Sequence, residues 1–151
     1  MEKRTLRYSL LPGRYAICRL PPDSPLPEWA IRQDEFCSIT RTSDELSIVC
    51  RENWVAADVN AERGWVCLKL QGPFAFSETG ILSAFLNPLA QHEIGIFAIS
   101  TFDTDYVLIK EKDWKKASEV LSAAGHEVVV RSQESVIPCI HRNPLFSTRS
   151  L

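Results

Sequence analysis

Apolar residues run together from Val66 to Leu70, and Gly72-Pro73 ends the run, as at the end of a short strand. Beyond it Ile81, Leu82, Phe85, Leu86 and Leu89 recur at helical spacing and build one apolar face. Ser77 is placed to cap this helix, with Glu78 in its first turn. Pro88 falls inside it and should kink it or end its regular part. Gly95 precedes a second strand, Ile96 to Ser100, and Asp105 to Lys110 is a third. Thr101 to Thr104 between them has hairpin-loop length. A second helix follows from about Lys112, with Trp114, Ala117, Val120, Leu121 and Ala124 on its face and Gly125 where a left-handed cap is wanted. Glu127 to Arg131 makes a last strand, so the order is β-α-β-β-α-β, a ferredoxin-like unit of α+β class.

The first half reads as a shortened copy. At an offset of sixty, Phe36 falls on Ile96, Ile39 on Ile99, Glu45 on Asp105, Ile48 on Leu108, Val49 on Ile109 and Trp54 on Trp114. Tyr15 to Leu20 then supplies the first strand and Pro25 to Ile31 a short first helix, although Pro21, Pro22, Pro25 and Pro27 crowd that crossover. Leu6 to Leu11 adds an edge strand before Pro12-Gly13. From Ser132 onward the chain is polar and has no helical face, which reads as a flexible tail.

Composition narrows the function more than the fold. The chain has 151 residues, 45% hydrophobic and 24% charged, a globular profile. No apolar run reaches the roughly 18 residues of a membrane span, and Met1 to Thr5 leads into no signal-like apolar core. With 17 basic against 19 acidic residues the net charge is −2, which argues against phosphate-driven nucleic-acid binding. The βαββαβ order also occurs in RNA-binding domains, but their K/R-G-F/Y-G/A-F block is missing. Cys18, Cys37, Cys50, Cys67 and Cys139 are odd in number and form no C-x-x-C pair, so a reducing cytoplasm is the expected setting. Cys139-Ile140-His141 offers two metal ligands where a closed zinc site wants four. His92, His126 and His141 stand in no nucleophile motif, and phosphate-loop and dinucleotide glycine patterns are missing. Asp103 and Asp105 read as turn residues before an acid–base pair. No enzyme activity, cofactor or metal is expected.

One constellation remains. The loop before the first complete helix and the hairpin from Ser100 to Tyr106 can lie at the same end of the sheet. Backbone N–H groups from Ser77 to Gly80 would suit a carboxylate, and Asp105 an ammonium or guanidinium group. Thr101 and Thr104 offer hydroxyls, and Phe102 and Ile81 an apolar wall, so the set would fit a free amino acid. The same residues can equally serve as cap, turn formers and core.

Several segments carry a resemblance. Leu11-Pro12-Gly13-Arg14-Tyr15-Ala16-Ile17-Cys18-Arg19-Leu20, Phe36 to Thr42, Thr79-Gly80-Ile81-Leu82 and Pro88-Leu89-Ala90 look like small tandem ACT-domain proteins. The most specific block is Ile96-Phe97-Ala98-Ile99-Ser100-Thr101-Phe102-Asp103-Thr104-Asp105-Tyr106-Val107-Leu108. Over roughly residues 6 to 131 the chain is similar to the ACT pair of cytosolic arginine sensors and, more distantly, to the regulatory domains of aspartate kinases. The resemblance implies two ACT-like units with helices on one face of antiparallel sheets. The first, residues 6–63, is truncated; the second, 64–131, is complete; the tail is 132–151. It further implies an amino-acid effector bound between ACT units, with contacts from Phe76, Ser77, Glu78 and Ile81 and from Thr101, Phe102, Thr104 and Asp105. With two units where the sensors have four, a homodimer would complete the site. Glu78 and Asp105 together hint at a basic amino acid. The competing expectation is a dimerisation module that binds no ligand.

Overall fold

The computed structural model describes residues 4–129, a mixed α+β chain with one eight-stranded sheet and two α-helices. The last-strand residues Val130 and Arg131, the tail from Ser132 and the Cys139–His141 pair lie outside the described residues. The strands are β1 (Arg7–Leu10), β2 (Tyr15–Leu20), β3 (Ser38–Arg41), β4 (Leu46–Arg51), β5 (Ala61–Leu70), β6 (Ile96–Ser100), β7 (Asp105–Lys110) and β8 (Glu127–Val128). The helices are α1 (Ile81–Gln91) and α2 (Trp114–Ala123).

β5 organises the sheet. Its first residues pair with β2, its last with β1, and its other edge with β7, all antiparallel. The first half therefore reads β3-β4-β2-β5 and the second β6-β7-β5-β1-β8, so one strand closes the first pattern and opens the second. Between Tyr15 and Ile17 the pairing jumps from Trp65 to Glu62, which places an extra residue on β5. Gly64 sits there at φ 78°, the left-handed glycine of a bulge that bends a strand. Its N–H donates to Glu52 Oε1 at 2.7 Å.

The strand expected at the edge forms, but in the interior. β1 lies between β5 and β8, where a simple βαββαβ unit would pair its first and last strands directly. Tyr8 explains the position: it is 2% exposed, and its ring meets Phe85 edge-on with centroids 5.2 Å apart. With Leu6 it joins Val66, Leu68, Leu70, Phe85, Leu89, Val107, Ile109 and Leu121 in the core beneath the helices.

Prolines decide the first crossover. The expected helix from Pro25 to Ile31 shrinks to a single tight turn at Glu28–Ala30, because only Pro27 can stand immediately ahead of such a turn without costing a bond. Another single turn at Glu52–Trp54 replaces the second helix. Ala16, Cys18, Ala30, Leu46, Ile48, Cys50 and Val55 close this side. The other faces of the two half-sheets meet in a third core of Leu11, Tyr15, Val49, Cys67 and Leu108, where Phe36 lies 4.3 Å from the Tyr106 ring.

The copies correspond at fifty-nine residues, not sixty. Ile48, Val49 and Cys50 are buried as Val107, Leu108 and Ile109 are, and Val49 and Leu108 share the central core. A one-residue error exchanges the faces of a strand, so this register is physically distinct from the expected one. The hairpin turns confirm it: Thr42 N–H donates to Glu45 C=O at 2.9 Å, and Thr101 N–H to Thr104 C=O at 2.8 Å.

Candidate functional site

α1 begins at Ile81, three residues later than Ser77 would place it, and its N-cap is Gly80 in the left-handed conformation. The first intrahelical bond runs from Ala84 N–H to Gly80 C=O at 3.0 Å, so the amides of Ile81, Leu82 and Ser83 precede it. Ser77 instead occupies the tip of a turn closed by Glu78 N–H donating to Ala75 C=O at 2.9 Å. The donors expected from Ser77 to Gly80 are thereby moved onto the start of α1.

A cleft of about 370 Å³ opens between that turn, the start of α1 and the β6–β7 hairpin. Phe76, Glu78, Ile81, Thr101, Phe102, Thr104 and Asp105 all line it; Ser77 does not. Residues that sequence reasoning missed also line it, among them Phe74, Ser100 and Asp103. Asp103 is legible once the copies are aligned correctly, since Thr42 and Asp44 then fall on Thr101 and Asp103. Phe74 joins through backbone pairing, its N–H donating to Asp103 C=O at 2.9 Å. Gly72 makes that approach possible, since a Cβ there would lie 2.8 Å from the same oxygen.

Each side chain has a definite setting. Thr104 is buried and donates from Oγ1 to Leu70 C=O at 2.7 Å, tying the hairpin to the end of β5. Thr101 donates from Oγ1 to Thr104 C=O at 3.0 Å, so both threonine hydroxyls hold the turn. Ser100 sits across from Asp105 in the ladder and donates its hydroxyl to Asp105 Oδ1. Phe76 and Phe102 stand over the cleft edge-to-face, 4.9 Å apart, and are 77% and 79% exposed. Glu78 takes the Ala75 N–H on Oε1 at 3.0 Å and Arg4 Nη1 on Oε2 at 3.3 Å. These two partners, the amide first, hold its carboxyl below the ordinary range.

The cleft thus offers amide donors at one side, the carboxylates of Asp103 and Asp105 at another, and two exposed rings at its mouth. In the first half Ser43 and Leu46 take the places of Phe102 and Asp105, so the first half does not repeat this chemistry. Among the described residues, no group of three or more His, Cys, Asp and Glu side chains could hold a metal ion. Cys18, Cys37, Cys50 and Cys67 are free thiols, and among the described residues no helix is long and apolar enough to cross a membrane.

Residues 60–123 match the family model of the ACT domain, and residues 13–58 a second model described as an N-terminal domain. A Bos taurus protein, cytosolic arginine sensor for mTORC1 subunit 1, is 33% identical over 58 residues, 35% of this chain. The chain spans only 18% of that relative's length. The regulatory subunit of aspartate kinase from Thermus thermophilus shares the fold, with a TM-score of 0.54 at 10% identity over 78% of this chain and 97% of the other. The crystal structure of protein Atu0741 from Agrobacterium tumefaciens superposes with a TM-score of 0.80, is 43% identical, and covers 86% of this chain and 96% of its own. The chain therefore belongs to the same family as the Agrobacterium protein and carries an ACT domain in its second half.

Proposed function

We propose that this chain is a non-enzymatic regulatory module whose cleft binds a free amino acid, with a second copy of the chain completing the site. The observation that supports the reading is convergence: residues singled out from two separated segments line one cleft whose polar groups suit both ends of a zwitterion. The α-carboxylate would meet the Ile81–Ser83 amides, where the helix dipole favours negative charge. The ammonium group would meet Asp105, already oriented by Ser100. Glu78 is engaged by Arg4 and the Ala75 amide, so a basic side chain would rely on Asp103 and Asp105. The bovine relative's name, an arginine sensor, makes arginine the first ligand to try. An effector of this kind acts by differential affinity for two conformational or assembly states.

Thermal-shift measurement against the twenty amino acids tests this. Saturation at 100-fold over Kd should stabilise the protein by about 2.7 kcal/mol. Asp105→Asn should abolish the shift while the apo melting temperature stays close to the parent's. A flat response to every amino acid at millimolar concentration would count against ligand binding.

The exposed Phe76–Phe102 pair favours a second reading, a dimerisation module that needs no ligand. Sedimentation separates the two. A dimer that is lost in Phe102→Ser, and whose association ignores every amino acid, supports the second reading over the first.

A further inference from the structure

A second cavity, about 790 Å³, lies at the junction of the two halves, between the turn after β1, the end of β4 and the start of α2. Its apolar lining includes Leu10, Val66 and Trp114, and its charged lining is Arg14, Arg51, Glu52 and Glu111. Glu52 and Glu111 are equivalent positions of the two copies, and Arg14 spans them. Its Nε lies 3.4 Å from Glu52 and its Nη1 3.4 Å from Glu111. Tight charge-assisted bonds are about 2.7–2.9 Å, so both contacts are loose. Glu52 is also anchored by the Gly64 amide, whereas the Glu111 side chain has Arg14 as its only partner among the described residues. Arg14 and Glu111 are 55% and 53% exposed, where an ion pair contributes little and opens easily.

Arg51 is fixed more firmly. Its guanidinium lies against Gly13, where a Cβ would come within 2.5 Å of Nη2, and Nη1 pairs with Glu35. Its Nε is buried and has no acceptor. Arg51 is already matched by Glu35 and Glu52 is held by the Gly64 amide, so the groups free to change partner are Arg14 and Glu111: a lone anion would strand Glu111 and a lone cation would strand Arg14. A zwitterion leaves the balance intact. Its carboxylate can replace Glu111 at Arg14, while its ammonium replaces Arg14 at Glu111.

We propose that this junction cavity binds a small α-zwitterion with an apolar side chain laid against Val66 and Trp114, the Arg14–Glu111 pair opening to receive it. This site stands apart from the cleft, so either can fail alone. Two-dimensional amide NMR of the full chain tests it, with leucine, leucinamide and isocaproate as probes and the Gly13 amide and Trp114 indole as reporters. Leucine should shift both reporters saturably, and leucinamide and isocaproate should bind at least tenfold more weakly. Arg14→Gln and Glu111→Gln should each weaken leucine tenfold or more, and Asp105→Asn should leave it unchanged. The proposal is overturned if millimolar leucine leaves both reporters still, if either one-charge analogue binds as well as leucine, or if Arg14→Gln has no effect. Shifts confined to Thr101–Asp105 would overturn it too, while supporting the cleft.

Discussion

His126 is 4% exposed and uses both ring nitrogens. The Leu6 N–H donates to Nδ1 at 3.0 Å, so Nε2 carries the proton and donates to Ala84 C=O at 3.0 Å. Ala84 needs that donor. In an unbroken helix its carbonyl would take the amide proton of residue 88, and Pro88 has none. The imidazole thus fills a vacancy made by a proline thirty-eight residues earlier. His126→Ala should cost about 1–3 kcal/mol for the stranded buried groups, read by denaturant unfolding. In a Pro88→Ala background Ala84 regains a backbone donor, so the same substitution should cost less, and additive effects in the double-mutant cycle would refute the linkage. Little of this was legible beforehand: the sequence marks His126 as a strand-start residue and Pro88 as a helix breaker, and nothing local joins them. Of the cleft residues, Thr101 and Asp105 were readable because a hairpin turn imposes its own chemistry. Ser77 was misjudged because a serine cap and a serine in a tight turn look alike in sequence.

Elements were easier to predict where their period was long. α1, α2 and the β6–β7 hairpin stand where the apolar spacing puts them, since each buries a face regular enough to show. The interior place of β1 was not readable, because an edge strand and an inserted strand carry the same short apolar pattern. The correspondence of the copies slipped by one residue for a related reason: runs such as Leu46 to Cys50 are apolar on both faces, and alternation cannot set them. Two elements carry direct tests. Gly64→Ala meets no neighbour within 4 Å, yet its left-handed backbone should make it cost about 1–2 kcal/mol in thermal or chemical unfolding. The Ala75–Glu78 turn should loosen in acid. Because the Glu78 pKa is lowered on folding, its contribution is complete above the ordinary value of 4.5 and is lost as pH falls through the lower folded value. The Ala75 amide resonance should report that titration, and Glu78→Gln should remove it.

At the scale of the molecule, three cores alternate with two half-sheets, and only the outermost side of the second half carries helices. The cleft and the junction cavity lie at different places around β7, one beside Asp105 and the other beside Glu111, just past the strand's far end. β5 has a kinetic consequence. A strand whose amides and carbonyls serve both halves cannot be released by one half while the other stays folded. Exchange of its protected amides with solvent deuterium should proceed only through global opening, and the slowest amides of β2 and β7 should share one opening free energy. A chain cut before Ala61 would leave the first fragment without its closing strand, and a cut after Leu70 would do the same to the second. Neither pair of fragments should refold separately, though mixing them should restore the native spectrum. Two halves joined in this way should behave as one cooperative unit, a single thermodynamic object despite the likeness of their strand patterns.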